Sequence, residues 1–384
     1  MNYRRLGKTN LMVSEVGFGG EWLERHPAEE SVELVQYAHE LGINIIDCWM
    51  PDPKSRDIIG KGIAPDRGSW YVQGHLGSTW QNGQYLRTRD VRQCRVAFED
   101  LLTRLGTDYI DLGMIHYVDQ ESDWETVSKP GPFLNYLMEL KEKGTVRHIG
   151  LSTHNPAIGR KAAASGLVEM IMFSVNPAFD LMPPTDDLDS YFADTYADSL
   201  CGVDPNRAAM YRFCEEMDIG IICMKPFAGG RLFDGKRSPF GVALTPVQCI
   251  HYCLTKPAVV SVMCGYDTRE QVNAAVAYEA AAEPERDYAS VLANAPKHTF
   301  PGGECTYCGH CKPCPAEIDI AMVNKLYDLA VMQAEVPASV KEHYHALTHR
   351  AEECIGCRQC ESRCPFGVTV ASRMRKTAEL FSRG

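Results

Sequence analysis

Trp70-Tyr-Val-Gln-Gly74, then an amphipathic stretch from Asp90 to Leu105, then Tyr109-Ile-Asp-Leu-Gly113 read as strand, helix and strand. Short β-rich runs separated by a helix mark a βαβ unit in a parallel sheet. The same alternation extends in both directions. Upstream lie Val16-Gly-Phe-Gly19 and Asn44-Ile-Ile-Asp47. Downstream lie His148-Ile-Gly-Leu151, Met170-Ile-Met-Phe173, Gly220-Ile-Ile-Cys223 and Val259-Val-Ser-Val-Met263. Helices are predicted between them, among others from Ala28 to Leu41, Phe133 to Lys143 and Thr268 to Ala280. Eight strand-helix units are what a closed (β/α)8 TIM barrel of α/β class requires. An open doubly wound sheet has fewer strands and a G-x-G-x-x-G turn after the first, whereas here that turn reads Gly17-Phe-Gly19-Gly20.

The alternation is interrupted from Leu181 to Asp204 by an acidic, proline-marked insert, expected to be a long loop over one barrel mouth. It stops after Ala282, and a helix to about Asn294 leads into a different composition. The predicted division is a barrel over 1–294 and a small, mostly helical ferredoxin-like unit over 295–384, with helices from Ile318 to Met332 and Ser339 to Arg350.

That second unit holds two cysteine runs, Cys305-Thr-Tyr-Cys308-Gly-His-Cys311-Lys-Pro-Cys314-Pro315 and Cys354-Ile-Gly-Cys357-Arg-Gln-Cys360-Glu-Ser-Arg-Cys364-Pro365. The second run has the bacterial ferredoxin spacing, in which three close thiolates hold one cubane and the fourth cysteine reaches the other. This rule assigns Cys305, Cys308, Cys311 and Cys364 to one [4Fe-4S] cluster and Cys354, Cys357, Cys360 and Cys314 to the second. The first run is one residue short before its fourth cysteine. Paired C-x2-C units also build zinc sites, but these take four ligands per ion and do not call for a triple run ending in Cys-Pro. Disulfides are not expected, because Met-Asn-Tyr-Arg-Arg-Leu-Gly-Lys at the start lacks an apolar signal core, so a reducing, oxygen-poor cytoplasm is expected. His310 is expected to tune a cluster from beside its ligands. The eight remaining cysteines have no ligand spacing and read as small buried apolar residues.

A net charge of −11 and a pI near 5.6 argue against nucleic acid. No apolar run approaches a membrane span. The expected partners are a small polar substrate and a protein electron donor such as ferredoxin or flavodoxin.

Several stretches resemble the aldo-keto reductase family, in its branch with a C-terminal ferredoxin-like dicluster domain. They are Tyr3-Arg-Arg-Leu-Gly-Lys-Thr-Asn-Leu-Met-Val-Ser14, Gly42-Ile-Asn-Ile-Ile-Asp47, Ser55-Arg-Asp-Ile-Ile-Gly60, Asp108-Tyr-Ile-Asp-Leu112 with His116, Met224-Lys-Pro-Phe-Ala-Gly-Gly230 and Ser261-Val-Met-Cys-Gly265. The resemblance implies carbonyl reduction by hydride from NAD(P)H, with an Asp, Tyr, Lys and His tetrad at the strand C-termini. In that tetrad tyrosine is the proton donor, and lysine paired with aspartate lowers its pKa. Asp47 and His116 match two positions. The tyrosine position falls nearest Asp52, and His75 stands where lysine is expected. Ser152, Lys225, Gly265, Thr268 and Gln271 are carried over as cofactor contacts. Thr153 replaces an asparagine, Phe173 a glutamine, and Ala274-Ala275 the pair that holds adenine.

The polar residues at strand ends are therefore Asp47, His75, His116 and His154, expected to share one mouth. Histidine exchanges protons near neutral pH, so His75 and His116 are the expected acid/base or carbonyl-polarising groups, with Asp47 orienting His75. Asp52 also reads as the cap of a helix beginning near Lys54. Trp49, Trp70 and Trp80 read as pocket lining or core. The expected function is an iron-sulfur oxidoreductase with a histidine-based site. Three alternatives remain: an NAD(P)H-dependent carbonyl reductase with an altered tetrad, a metal-assisted hydrolase or lyase using the mouth His/Asp cluster, and a non-catalytic electron carrier.

Overall fold

The computed structural model describes residues 1–21, 23–180, 203–238, 240–288, 291–292, 295, 305, 311–331, 336, 338–364 and 367–382. Two compact units are present, Met1–Trp80 with Arg87–Phe300, and Gln81–Leu86 with Pro301–Gly384.

In the first unit, strands β1 (Val16–Gly19), β2 (Ile45–Cys48), β3 (Tyr71–Leu76), β4 (Ile110–Ile115), β5 (Val146–Thr153), β6 (Met170–Ser174), β7 (Gly220–Met224) and β8 (Val259–Gly265) close into one barrel in sequence order. All neighbours run parallel, and β8 returns to β1 with Val262 beside Val16. Each of the eight expected strands is present. An antiparallel hairpin of Tyr3–Arg5 with Met12–Ser14 precedes them, unforeseen in the sequence reading. Its Leu6 and Val13 are buried with the barrel interior.

Side chains alternate along each strand, so one residue set faces the helices and the other the barrel axis. Ile45, Leu112, Met114, Met170, Met172, Ile222 and Met263 form a single buried cluster. Gly17 and Gly150 make room for it. A Cβ on Gly17 would meet the Met263 sulfur, and one on Gly150 would run into the sulfurs of Met114 and Met170. The outer set, including Val16, Phe18, Ile46 and Val72, packs under the helices. Beyond the methionines, the inner positions at the strand C-termini change from apolar to polar, and that change creates the mouth.

The helices start where local chemistry permits. Asp52, Asn155, Asp204 and Thr245 each accept a backbone N–H in the first turn of helices Pro53–Ile63, Pro156–Ser165, Pro205–Glu216 and Pro246–Leu254. In all four a proline follows the cap and brings its φ preset for helix. Asp52 thus caps the helix after β2, with Ser55 N–H donating to its Oδ1 at 2.9 Å. Trp70 is core, buried and stacked on His39 at 4.6 Å. Strands Ser78–Gln81 and Gln84–Arg87 pair through Asn82-Gly83, both with positive φ, the signature of a tight hairpin turn. Of the expected acidic insert, all but Val203 and Asp204 lies outside the described residues.

The second unit has helices Ile320–Val331, Ala338–His345 and Val370–Ser382 around a core that includes Val323, Leu326, Tyr344, Met374 and Phe381. Tyr344 stacks on Phe381 at 4.0 Å and donates its hydroxyl to Glu352. The last helix was not foreseen, although Val370, Met374, Thr377 and Phe381 lie on one helical face and are buried.

Candidate functional site

The register of β1 to β4 assembles the barrel mouth. Asp47 lies beside Gln73, and His75 beside Met114. His116 follows β4 two residues beyond Met114, one step further along the same inward face. Asp47, His75 and His116 are 2 %, 3 % and 3 % exposed. Asp47 Oδ1 meets Gln73 Nε2 at 2.8 Å and His75 Nε2 at 2.9 Å. His75 Nδ1 meets His116 Nδ1 at 2.9 Å.

Proton counting orders this chain. An ionised Asp47 can only accept, so Gln73 and His75 Nε2 both donate to it. Neutral His75 then keeps a lone pair at Nδ1, and His116 must donate from its Nδ1. His116 therefore carries its lone pair at Nε2. Burial holds its pKa well below the usual histidine range, reinforced by His75 and by Arg89 and Arg87. Arg89 Nη2 also donates to the His116 carbonyl at 2.7 Å, and the Trp49 ring lies parallel to His116 at 5.8 Å.

His154 has its own carboxylate. Its Nδ1 lies 3.0 Å from Asp119 Oδ2, while its backbone N–H and the Thr153 hydroxyl both donate to Asp119 Oδ1. Burial raises the Asp119 carboxyl, but the charge and hydrogen bonds of His154 together with the Thr153 hydroxyl outweigh it and the net shift is downward. Burial also lowers His154, against the pull of Asp119. The Tyr117 ring stands between the two imidazole centres, 6.2 Å from His116 and 5.4 Å from His154. The structure thus joins His75 and His116 in one chain and gives His154 a separate dyad. Ser152 supports both, since its hydroxyl accepts the Tyr117 N–H at 2.7 Å.

Two mouth residues escaped the sequence reading. Gln73 is the second donor to Asp47. Glu21 follows β1, where Gly19 is in register with Asp47 and Gly20 N–H donates to the Asp47 carbonyl at 3.0 Å. Glu21 keeps some exposed surface, yet desolvation pushes its carboxyl up to about 7, with Asp47 adding to the rise and Lys225 opposing it. Lys225, after β7, adopts φ +59°, and its carbonyl accepts from Asn176. The only sequence signal for Glu21 was a carboxylate two residues beyond a barrel strand.

At the end of β8, Gly265 has open space where a Cβ would stand. Thr268 caps helix Arg269–Val276 by accepting the Gln271 N–H, and Gln271 Oε1 accepts the Asp267 N–H at 2.6 Å. Asp267 pairs with His26 at 2.9 Å, and Glu270 occupies the first turn. These groups satisfy one another, and two carboxylates stand at the helix start. Arg269 opens the same helix, so the loop offers a pyrophosphate one guanidinium against two carboxylates.

In the second unit Cys314, Cys354, Cys357 and Cys360 line one cavity of about 360 Å³, its open mouth included. Ile318, Ile320, Val370 and Met374 form apolar walls, with Arg358 and Arg363 beside them. This is the second expected ligand set. Four thiols around an apolar cavity suit a cubane. Among the described residues no three His, Cys, Asp or Glu side chains are grouped to hold a single ion. Of the first set, Cys305, Cys311 and Cys364 are described, while Cys308 and His310 lie outside the described residues. Arg363 fastens the first run, donating to the carbonyls of Cys311 at 2.7 Å and Pro313 at 2.6 Å. Cys314 N–H donates to Gln84 Oε1 at 3.1 Å. No helix among the described residues is long and apolar enough to cross a membrane.

Comparison with known proteins agrees with both units. The Aldo/keto reductase family model matches residues 15–245, and the 4Fe-4S dicluster domain model residues 304–369. Similar curated proteins include an uncharacterized oxidoreductase of Bacillus subtilis (strain 168), 28 % identical over 187 residues, covering 48 % of this chain and 58 % of the relative. An L-galactose dehydrogenase of Arabidopsis thaliana is 30 % identical over 158 residues, covering 39 % and 47 %. The chain thus spans about half the length of the curated relatives it matches. Among solved structures, the holo form of an aldo-keto reductase from Bacillus halodurans superposes with a TM-score of 0.59 at 22 % identity, over 77 % of this chain and 97 % of that one. An aldo/keto reductase from Klebsiella pneumoniae in complex with NADP and acetate gives 0.52 at 16 % identity, over 77 % and 96 %; both likenesses bear on the fold alone. With more than half its length matched by the family model, the chain belongs to the aldo/keto reductase family and carries a 4Fe-4S dicluster domain at its C-terminal end.

Proposed function

We propose that the chain is an iron-sulfur oxidoreductase acting on a small polar organic substrate, with His116 as the proton-exchanging group at the barrel mouth. The observation that carries this reading is the hydrogen-bonded line from Asp47 through His75 to His116. In it an imidazole, His75, stands at the position of the usual lysine and joins Asp47 to His116, and the hydrogen bonds order the ring protons of both histidines. His116 takes a proton from a substrate oxygen at Nε2, or returns one in the reverse direction. His75 accepts from His116 Nδ1, and Asp47 stabilises the positive charge that forms. Gln73 keeps Asp47 in place. Trp49 walls one side of the imidazole and limits its access to water.

Cys305, Cys308, Cys311 and Cys364 would hold one [4Fe-4S] cluster, and Cys314, Cys354, Cys357 and Cys360 the other. When bound, such clusters supply one-electron transfer. A carrier such as ferredoxin or flavodoxin is the matching partner, and a reducing cytoplasm the matching setting. A nicotinamide-dependent reading would need Ser152, Lys225, Gly265, Thr268 and Gln271 to bind a dinucleotide, and the carboxylates of Asp267 and Glu270 in the loop after β8 weigh against it. A metal-assisted hydrolase reading is disfavoured because both ring nitrogens of His75 are already engaged.

The test is to reduce the anaerobic protein, follow the paramagnetic signals, and screen small hydroxy and carbonyl compounds for substrate-dependent oxidation or reduction of the clusters. Clusters that never change oxidation state would overturn the proposal. Saturable NADPH or NADH binding with turnover at silent clusters would favour the nicotinamide reading instead.

A further inference from the structure

Asn324 is a buried amide in an apolar core, 1 % exposed on helix Ile320–Val331. Its Nδ2 donates toward the Cys305 sulfur at 3.4 Å, and Arg373 Nε donates to its Oδ1 at 3.1 Å. Arg373 comes from helix Val370–Ser382, is paired with Asp328 one turn beyond Asn324, and lies over the Tyr327 ring at 5.0 Å. These contacts fix which way the amide points. A guanidinium can only donate, so the amide oxygen faces Arg373 and the NH₂ faces the sulfur.

We infer that Asn324, oriented by Arg373, is a positioning residue that raises the reduction potential of the cluster held by Cys305 and leaves the other cluster unaffected. The inference rests on the iron-sulfur reading of the cysteine unit. Adding one electron to a cubane places more negative charge on its thiolate sulfurs, and a donor aimed at such a sulfur stabilises the reduced form more than the oxidised one. The Arg373 charge polarises the amide in the same sense. The cavity lined by Cys314, Cys354, Cys357 and Cys360 has Ile318, Ile320, Val370 and Met374 as walls with Arg358 and Arg363 beside them, and among the described residues no amide side chain lines it, so the two cluster environments differ in the kind of donor they hold.

The test is potentiometric titration of the anaerobic holoprotein, with each cluster followed by paramagnetic resonance and with iron and sulfide assayed. Asn324→Leu keeps the volume and removes the donor. One midpoint should move to more negative potential while the other stays, at unchanged iron content. Asn324→Asp, which cannot donate and adds negative charge, should move the same midpoint further. Arg373→Gln should give a smaller shift in the same direction, and it decides the matter if the Leu variant loses iron. Unchanged midpoints in fully loaded variants would overturn the inference. A wild-type protein that binds no iron would instead overturn the reading beneath it.

Discussion

At the barrel mouth Asp47, Gln73, His75 and His116 are joined by hydrogen bonds to one another, whereas four of the thiols of the second unit border a cavity walled by aliphatic side chains and two arginines. The first site is fastened by β-strand register, with the Gln73 Oε1 acceptor left buried and unpaired among the described residues. The second unit has short helices, a small core and thiolate donors whose natural partner is a metal cluster. A polar network buried in a barrel is ordered before substrate arrives, which suits proton transfer along a fixed line. A thiol array in a small unit couples its order to metal binding, because a preformed site rarely exists in the unfolded chain.

The largest effect expected from this contrast is at the mouth. His116→Ala should lower turnover by about 10² to 10⁴-fold, the usual range for a lost general acid or base, with iron content and cluster spectra unchanged. Loss of iron on the same substitution would show that the two sites are not built independently. Next comes metal removal. Chelation under reducing conditions should make residues 301–384 sensitive to protease while the barrel keeps its helical circular dichroism and its own melting transition. Loss of both transitions together would break the comparison. The smallest effect concerns Glu21. Its carboxyl is raised from the ordinary 4.5 to about 7, so the folded protein holds that proton more tightly than the unfolded chain. The stability this provides is full below pH 4.5 and is lost as pH rises through 7. The melting temperature of Glu21→Gln should therefore rise by a few degrees relative to wild type between about pH 5 and pH 8. Parallel curves for the two proteins would sink the assignment.

Much of this architecture could be read from short stretches of chain. The eight barrel strands were visible as brief β-branched runs, and Asp52 as a cap was visible from the proline after it. The hairpin at Asn82-Gly83 and the helix Val370–Ser382 had local signals too, a turn dipeptide and an i, i+4, i+7, i+11 stripe, but neither adjoined a motif that drew attention. Asp47, His75 and His116 could be located at strand ends. The pairing of Asp47 with His75 was legible from the family resemblance, but the bond from His75 to His116 was not, and neither was the pairing of His154 with Asp119.

The sequence by itself determined what depends on neighbours a few residues away: strand and helix periods, helix starts, and cysteine spacing that selects iron and sulfur over a single ion. Tertiary structure alone decided which distant polar groups meet. Glu21 feels the charge of Asp47 because Gly19 aligns with Asp47 across β1 and β2, and His75 reaches His116 because β3 and β4 pair with His75 beside Met114. The physical reason is register: sliding one strand by a single residue turns every side chain to the opposite face, and the local sequence of either strand does not specify that alignment.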